Sequence, residues 1–257
     1  MNAPFGYSAD TLFSFFSQAG RGFYVPYYQR NYSWDEQNAE KLVLDIAGGV
    51  KRVTKKPDNS VFLGTVILHD EKQVTTGIHV DSTNLITKVD NVVDGQQRIA
   101  SLSLLACTLS FMIDEYSSHL KNLGSALSEY RDLAVELENQ KPDLQEMLGI
   151  EIKKHDVQPR VKPIIIRAGD ASSNPISDQW TLKGNTADFY RSNVAKFISD
   201  FIDGVNFSSI ETDERIRSVI DTFTSKINEQ LAAVDAQLID DFLAEISNPD
   251  SSLHNFM

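Results

Sequence analysis

Two short stretches of this 257-residue chain concentrate residue types that hold and move charged groups. The first is Val93-Asp94-Gly95-Gln96-Gln97-Arg98. An apolar run ends in Asp-Gly and a helical pattern opens at Gln96. The backbone N–H groups of Gly95, Gln96 and Gln97 then fall at the positive end of a helix dipole, a ready place for an anion. Gly95 has no Cβ to hold a ligand off. Arg98 adds an always-charged fork of donors that matches phosphate. The Gln96 and Gln97 amides can orient a phosphate, a metal-bound water or a base edge. A plainer reading uses the same residues: Asp94 caps the helix, Gln97 closes a capping box, and Arg98 sits in solvent. Spacing alone leaves both open.

The second stretch, Pro26-Tyr27-Tyr28-Gln29-Arg30-Asn31-Tyr32-Ser33-Trp34, places aromatic rings, one Arg and one Gln just before a helix start. Such a loop can stack a base on a ring and set Arg30 against phosphate. Equally, the rings can fill core gaps while Arg30 pairs with a neighbouring carboxylate. Other chemistry is poorly represented. Gly20-Arg21-Gly22 is too short for a phosphate loop, and neither a Walker-type loop nor a Gly-x-Ser-x-Gly elbow occurs. The five histidines (His69, His79, His119, His155, His254) are scattered without ligand spacing, so neither a zinc site nor a His-Asn-His nuclease centre is expected. The expected set of protein metal ligands is therefore empty. Lys51-Arg52 and Lys55-Lys56 read as a solvated basic loop, with contact to a DNA backbone as the alternative. Asp240-Asp241 reads as a solvated helix face. Cys107 lies among Leu104, Leu105, Ala106 and Leu109, the setting of a buried inert thiol.

The elements that must position these residues follow from periodicity. Thr11 to Gln18 reads as a short helix, and 23–28 as an extended aromatic segment with Pro26 at a strand edge. Ser33-Trp34-Asp35-Glu36 has the form of a capping box, with Ala39, Leu42, Val43, Ile46 and Val50 behind it at helical spacing. Gly48-Gly49 weakens the end of that helix, 51–60 reads as a loop, and 61–69 as a strand. Residues 71–84 read as a polar excursion or hairpin, and 85–93 as a strand. From Gln96, Ile99, Leu102, Leu105, Leu109, Met112 and Tyr116 trace the apolar stripe of a long helix. Beyond it lie helical patterns over 123–137, 142–148, 186–202 and 213–246, with one strand at 160–166 and a polar end at 247–257.

Bulk composition narrows the class. Hydrophobic residues at 41% and charged residues at 23% are ordinary for a globular protein. No apolar run approaches the roughly 20 residues that span a bilayer, and no signal peptide is visible. One cysteine fits a reducing compartment, so a cytoplasmic location without membrane contact is expected. The net charge of −12 argues against a broad DNA-coating face. It is uneven: residues 1–100 carry 10 Lys+Arg against 11 Asp+Glu, and residues 101–257 carry 14 against 25. The near-neutral first part can still present a cationic pocket. The acidic second part favours a protein partner over DNA.

Taken in order, three blocks resemble the N-terminal domain of GmrSD-type restriction systems. They are Val25-Pro26-Tyr27-Tyr28-Gln29-Arg30-Asn31-Tyr32-Ser33-Trp34, Phe62-Leu63-Gly64-Thr65-Val66-Ile67-Leu68, and Val92-Val93-Asp94-Gly95-Gln96-Gln97-Arg98. The likeness is strong over about residues 20–115 and weaker through the helical part, where Pro163-Ile164-Ile165-Ile166 and Asp170 sit about where the family has a Pro-containing strand and an Asp. Members commonly continue with a Phe-Glu-x-x-Asn-x-x-Gly block and an HNH-type nuclease domain. Neither occurs before Met257, as expected of a truncated piece, half of a split system, or a short member.

The resemblance implies an α+β fold: a ParB/sulfiredoxin-like small mixed sheet with helices over 1–120, bearing the Asp-Gly-Gln-Gln-Arg motif, then a mainly helical region over 121–257. It implies binding and hydrolysis of a nucleoside triphosphate in defence against modified or phage DNA, alongside a nuclease domain or subunit. The implied site has Asp94, Gln97 and Arg98 as catalytic residues, with Gln29, Arg30, Gly95, Gln96, Gln97 and Arg98 holding the nucleotide. Tyr28, Tyr32 and Trp34 would form its walls. Mg²⁺ enters as an inference from triphosphate chemistry. Two alternatives stand beside this reading: a nuclease using the same pocket, and a binding module that regulates a partner nuclease without turnover.

Overall fold

The computed structural model describes residues 6–18, 20–56, 60–70, 88–123, 128–154, 157–169, 178, 180, 190 and 192–233. The expected excursion over 71–84, Asp170, His79, His155, His254, Asp240-Asp241 and the polar end lie outside them. In chain order the described elements are α1 (Leu12–Phe16), β1 (Arg21–Val25), α2 (Glu36–Lys55), β2 (Ile67–Asp70), β3 (Lys88–Asp94), α3 (Gln96–Leu123), α4 (Ser128–Asn139), α5 (Lys141–Glu146), β4 (Gly149–Lys154), β5 (Val157–Pro163), β6 (Ile165–Arg167), α6 (Asn193–Ile202) and α7 (Glu214–Ala232). The mixture is α+β, as expected. The chain forms two compact units, one drawn from residues 1–32 and 66–213, the other from 33–65 and 214–257.

The first unit is built on a four-stranded mixed sheet of order β2-β3-β1-β6. β1 runs parallel to both neighbours, Tyr24 lying opposite Asn91 of β3 and Ile166 of β6. All five of its residues are buried, as befits a strand covered on both faces. Pro26 follows the last ladder residue, where its missing N–H removes no sheet bond. β2 is antiparallel to β3, with an irregularity between Ile67 and Leu68. At the amino end of β1, the Arg21 Nε donates to Asp90 of β3 at 2.5 Å, with side chains 7% and 2% exposed. Its guanidinium also lies over the rings of Phe15 and Phe23, 4.9 and 5.0 Å from their centroids. Two charges so far from water persist because each satisfies the other.

α3 packs against α4, α5 and α6, burying Ile99, Leu102, Leu105 and Met112 of the expected stripe. Its residues 96–122 are long and apolar enough to cross a membrane by length and composition, contrary to the expectation that no run approached that length. Within the fold, 67% of the most apolar window is buried, as in a core helix. Cys107 is among those buried residues, and burial pushes its thiol well above the usual range.

The expected strand over 160–166 is interrupted at Ile164. That residue switches partners: its N–H donates to Leu148, and its carbonyl accepts from Phe23. The first half pairs in a hairpin with β4, which periodicity did not single out, and the second joins the main sheet.

In the second unit α2 packs against α7. Its cap is Asp35, not Ser33: the Asp35 carboxylate accepts the Asn38 N–H at 3.0 Å and the Asn38 amide at 2.6 Å. Ser33 contributes its carbonyl, which accepts from Arg215. The helix also runs through Gly48-Gly49 to Lys55 and takes up much of the expected basic loop. Cations in a last turn complement the helix dipole, so those charges extend the helix. Gly49 has a packing reason, because a Cβ there would meet Val61 Cγ2 at 2.2 Å. Residues 61–66, read as strand, carry no regular structure.

Candidate functional site

Because β3, β1 and β6 are parallel, their carboxyl ends share one edge of the sheet, the edge where open α/β sheets take ligands. Three pieces of chain leave it: the 26–32 segment after β1, the Asp94-Gly95 turn into α3 after β3, and Arg167 ending β6. Gly95 has φ +91°, and a Cβ there would stand 3.0 Å from Val66 Cγ2 and 3.2 Å from Val66 Cα. The glycine is therefore required by backbone conformation and by a protein neighbour, before any ligand is considered.

Side-chain amides stitch the 26–32 segment to the start of α3. Gln29 Nε2 donates to the Val93 carbonyl at 2.6 Å. Gln96 Nε2 donates to the Arg30 carbonyl at 2.8 Å, and Gln97 Nε2 to the Asn31 carbonyl at 3.0 Å. The Tyr32 and Ser101 hydroxyls hydrogen-bond at 2.7 Å. Both Gln96 and Gln97 are buried, at 8% and 9% exposure. Their donors hold protein backbone, Gln97 facing Asn31, and among the described residues the Asp94 carboxylate accepts no hydrogen bond.

The fold thus gathers Gln29, Arg30, Tyr32, Asp94, Gly95, Gln96, Gln97 and Arg98 around one strand-to-helix turn. Asp94 and Arg30 are exposed, and Arg98 is half-buried in the first turn of α3. Tyr28 is 62% exposed and stands edge-on to Tyr27, their centroids 5.7 Å apart. Trp34 is half-buried and belongs to the second unit. Below the turn, Tyr32, Gln96, Gln97, Arg167 and Ser192 contribute to the wall of a cavity of about 30 Å³, room for about one water.

Sequence reasoning missed Arg167. Its Nη1 donates to the Arg30 carbonyl at 2.9 Å, and its Nη2 donates to the Gln29 carbonyl. The one local signal was an Arg closing the Pro163–Ile166 apolar run, a charge at the carboxyl end of a strand. Of the five histidines, His69 and His119 are described, and both are exposed. Among the described residues no group of three or more His, Cys, Asp or Glu converges on a metal position.

No curated protein matches the chain. A family model described as "GmrSD restriction endonuclease, N-terminal domain" matches residues 12–239, nearly the whole length, and the chain belongs to that family.

Proposed function

We propose that this member of a restriction-system domain family binds a nucleoside triphosphate and hydrolyses it in defence against modified or phage DNA. In this reading the segment 1–120 is the nucleotide-binding core, with a ParB/sulfiredoxin-like arrangement, and a nuclease domain or subunit is its partner. One observation carries the proposal: parallel strand ends bring Arg30 and the Gly95–Arg98 helix start to one edge, an arrangement suited to a polyanion.

The amides of residues 95–97 and the Arg98 and Arg30 side chains neutralise the phosphates. Tyr28, largely exposed, supplies a face for the base, with Tyr32 as a wall. Asp94 fits a cation that arrives with the triphosphate, since its carboxylate is exposed and accepts no hydrogen bond among the described residues. A hydrated Mg²⁺ needs only one or two carboxylates beside phosphate oxygens. Phosphoryl transfer asks mainly for positioning and charge stabilisation, which such a set provides. The Gln side chains hold the loop through their N–H groups, leaving the Oε1 of Gln29 or Gln96 as the acceptor for an attacking water. Gln97 contributes by fixing Asn31.

A second reading, a nucleotide-regulated binding module without turnover, is favoured by the engagement of the Gln96 and Gln97 donors with backbone. Incubation of the protein with each NTP and Mg²⁺ separates the readings. Phosphate release abolished in Arg98→Ala supports hydrolysis, binding without release supports the module, and DNA nicking without NTP indicates a nuclease. If Arg98→Ala and Gln97→Ala both leave binding and turnover unchanged, the site assignment is wrong.

A further inference from the structure

We infer that Arg167 is the positioning residue of this site, clamping the 29–30 backbone so that the Arg30 side chain is presented beside the α3 start. Its role in ligand binding rests on the nucleotide reading above; its role in ordering the loop does not. The guanidinium reaches the two successive carbonyls of Gln29 and Arg30 with its two Nη atoms. A planar fork with a fixed donor spacing suits this task, and a single ammonium cannot span both acceptors in the same geometry.

The clamp is itself anchored. Arg167 lies opposite Val25 in the β1–β6 ladder, so the clamp starts from the same sheet level as the loop it holds. Its own N–H donates to Asp178 Oδ2 at 3.2 Å. The Asp178 side chain, 1% exposed as a residue, also accepts the Ser192 N–H just before α6. The Arg30 carbonyl receives a second donor, Gln96 Nε2, from the opposite side of the turn. Loop, β6 and the α3 start therefore converge on one carbonyl oxygen. Among the described residues, loss of Arg167 leaves that oxygen to Gln96 alone and removes a charged donor from the Gln29 carbonyl.

Amide hydrogen exchange of the full chain without nucleotide reads the clamp directly. In Arg167→Ala, exchange over residues 28–32 is expected to rise at least about tenfold, the effect of losing charge-assisted hydrogen bonds. Exchange within α6 should stay unchanged, and Arg167→Lys should fall between the two. Unchanged exchange over 28–32, an equal rise in α6, or full rescue by Lys would each overturn the clamp. With a nonhydrolysable NTP, Arg167→Ala is expected to weaken binding about tenfold in the wild-type background and little further in Arg30→Ala, because positioning residues act through the group they position. Additive losses would refute action through Arg30. If no variant and no wild type binds NTP, the nucleotide reading fails while the exchange result still decides the clamp.

Discussion

Gly95→Ala tests why glycine stands in the Asp-Gly-Gln-Gln-Arg turn. If the residue only makes room for a ligand, the unliganded protein should tolerate alanine, and even gain roughly 0.4–1 kcal/mol from a stiffer unfolded chain. The structure says otherwise. A φ of +91° places the new Cβ in the left-handed region, which costs roughly 1–2 kcal/mol for an ordinary residue. The same Cβ would lie 3.0 Å from Val66 Cγ2, which can rotate away, and 3.2 Å from Val66 Cα, which cannot. Val66 immediately precedes β2, whose pairing with β3 fixes its backbone. Such overpacking adds roughly 1–3 kcal/mol. The expected loss is thus about 2–5 kcal/mol in urea unfolding without nucleotide. Val66→Ala should recover part of it in the double mutant, because Cγ2 is gone while Cα and φ remain. A loss below about 0.5 kcal/mol would refute the packing account and return the glycine to the ligand.

Three further outcomes follow from the same geometry. Arg21→Ala strands the buried Asp90 carboxylate, with Lys88 at 3.5 Å as its one other cation among the described residues, and should cost about 3–5 kcal/mol by denaturant unfolding; a near-neutral effect would contradict the buried pair. Gly49→Ala should destabilise the unit containing α2 and α7, although alanine normally favours a helix interior by roughly 0.5–1 kcal/mol, because its Cβ would meet Val61 at 2.2 Å; a gain in thermal stability would show that Val61 moves aside. Asp35→Ala should lower helical stability, checked by thermal melts. The Asn38 hydrogen bonds hold the Asp35 carboxyl below its ordinary value of 3.8. Its contribution is therefore full above that value and is lost as pH falls through the lower folded pKa. A difference between Asp35→Ala and the unaltered chain that persists in strong acid would argue against this cap.

The parts of the fold written in local sequence were legible. Asp94-Gly95 broke a strand and an apolar stripe began at once, so the strand–turn–helix carrying the site could be placed. From Gly, Gln and Arg types alone an anion site was one expectation, with a plain capped helix start beside it. What long-range pairing decides was not legible. Ile164 reads like its neighbours, yet it divides one apolar run between two sheets. The polar alternation of β4 gave little signal, because its stabilisation comes from β5. Ser33 and Asp35 are both good caps, and only the observed chain path chose Asp35. Gln96 and Gln97 looked like ligand donors, since a sequence cannot show that Arg30 and Asn31 carbonyls would stand opposite them. Arg167 lies 137 residues beyond Arg30 and joins the site through the long-range β1–β6 register.

The central claim is that the turn from Gly95 to Arg98 holds a nucleotide triphosphate. Isothermal titration of the full chain with a nonhydrolysable NTP and Mg²⁺ tests it most directly, comparing wild type with Arg98→Ala at matched thermal stability. Saturable one-site binding that Arg98→Ala weakens at least about tenfold is the predicted result, the scale expected for a lost charge-assisted phosphate contact. Equal affinity in the two proteins, or no heat of binding for any NTP, would contradict it.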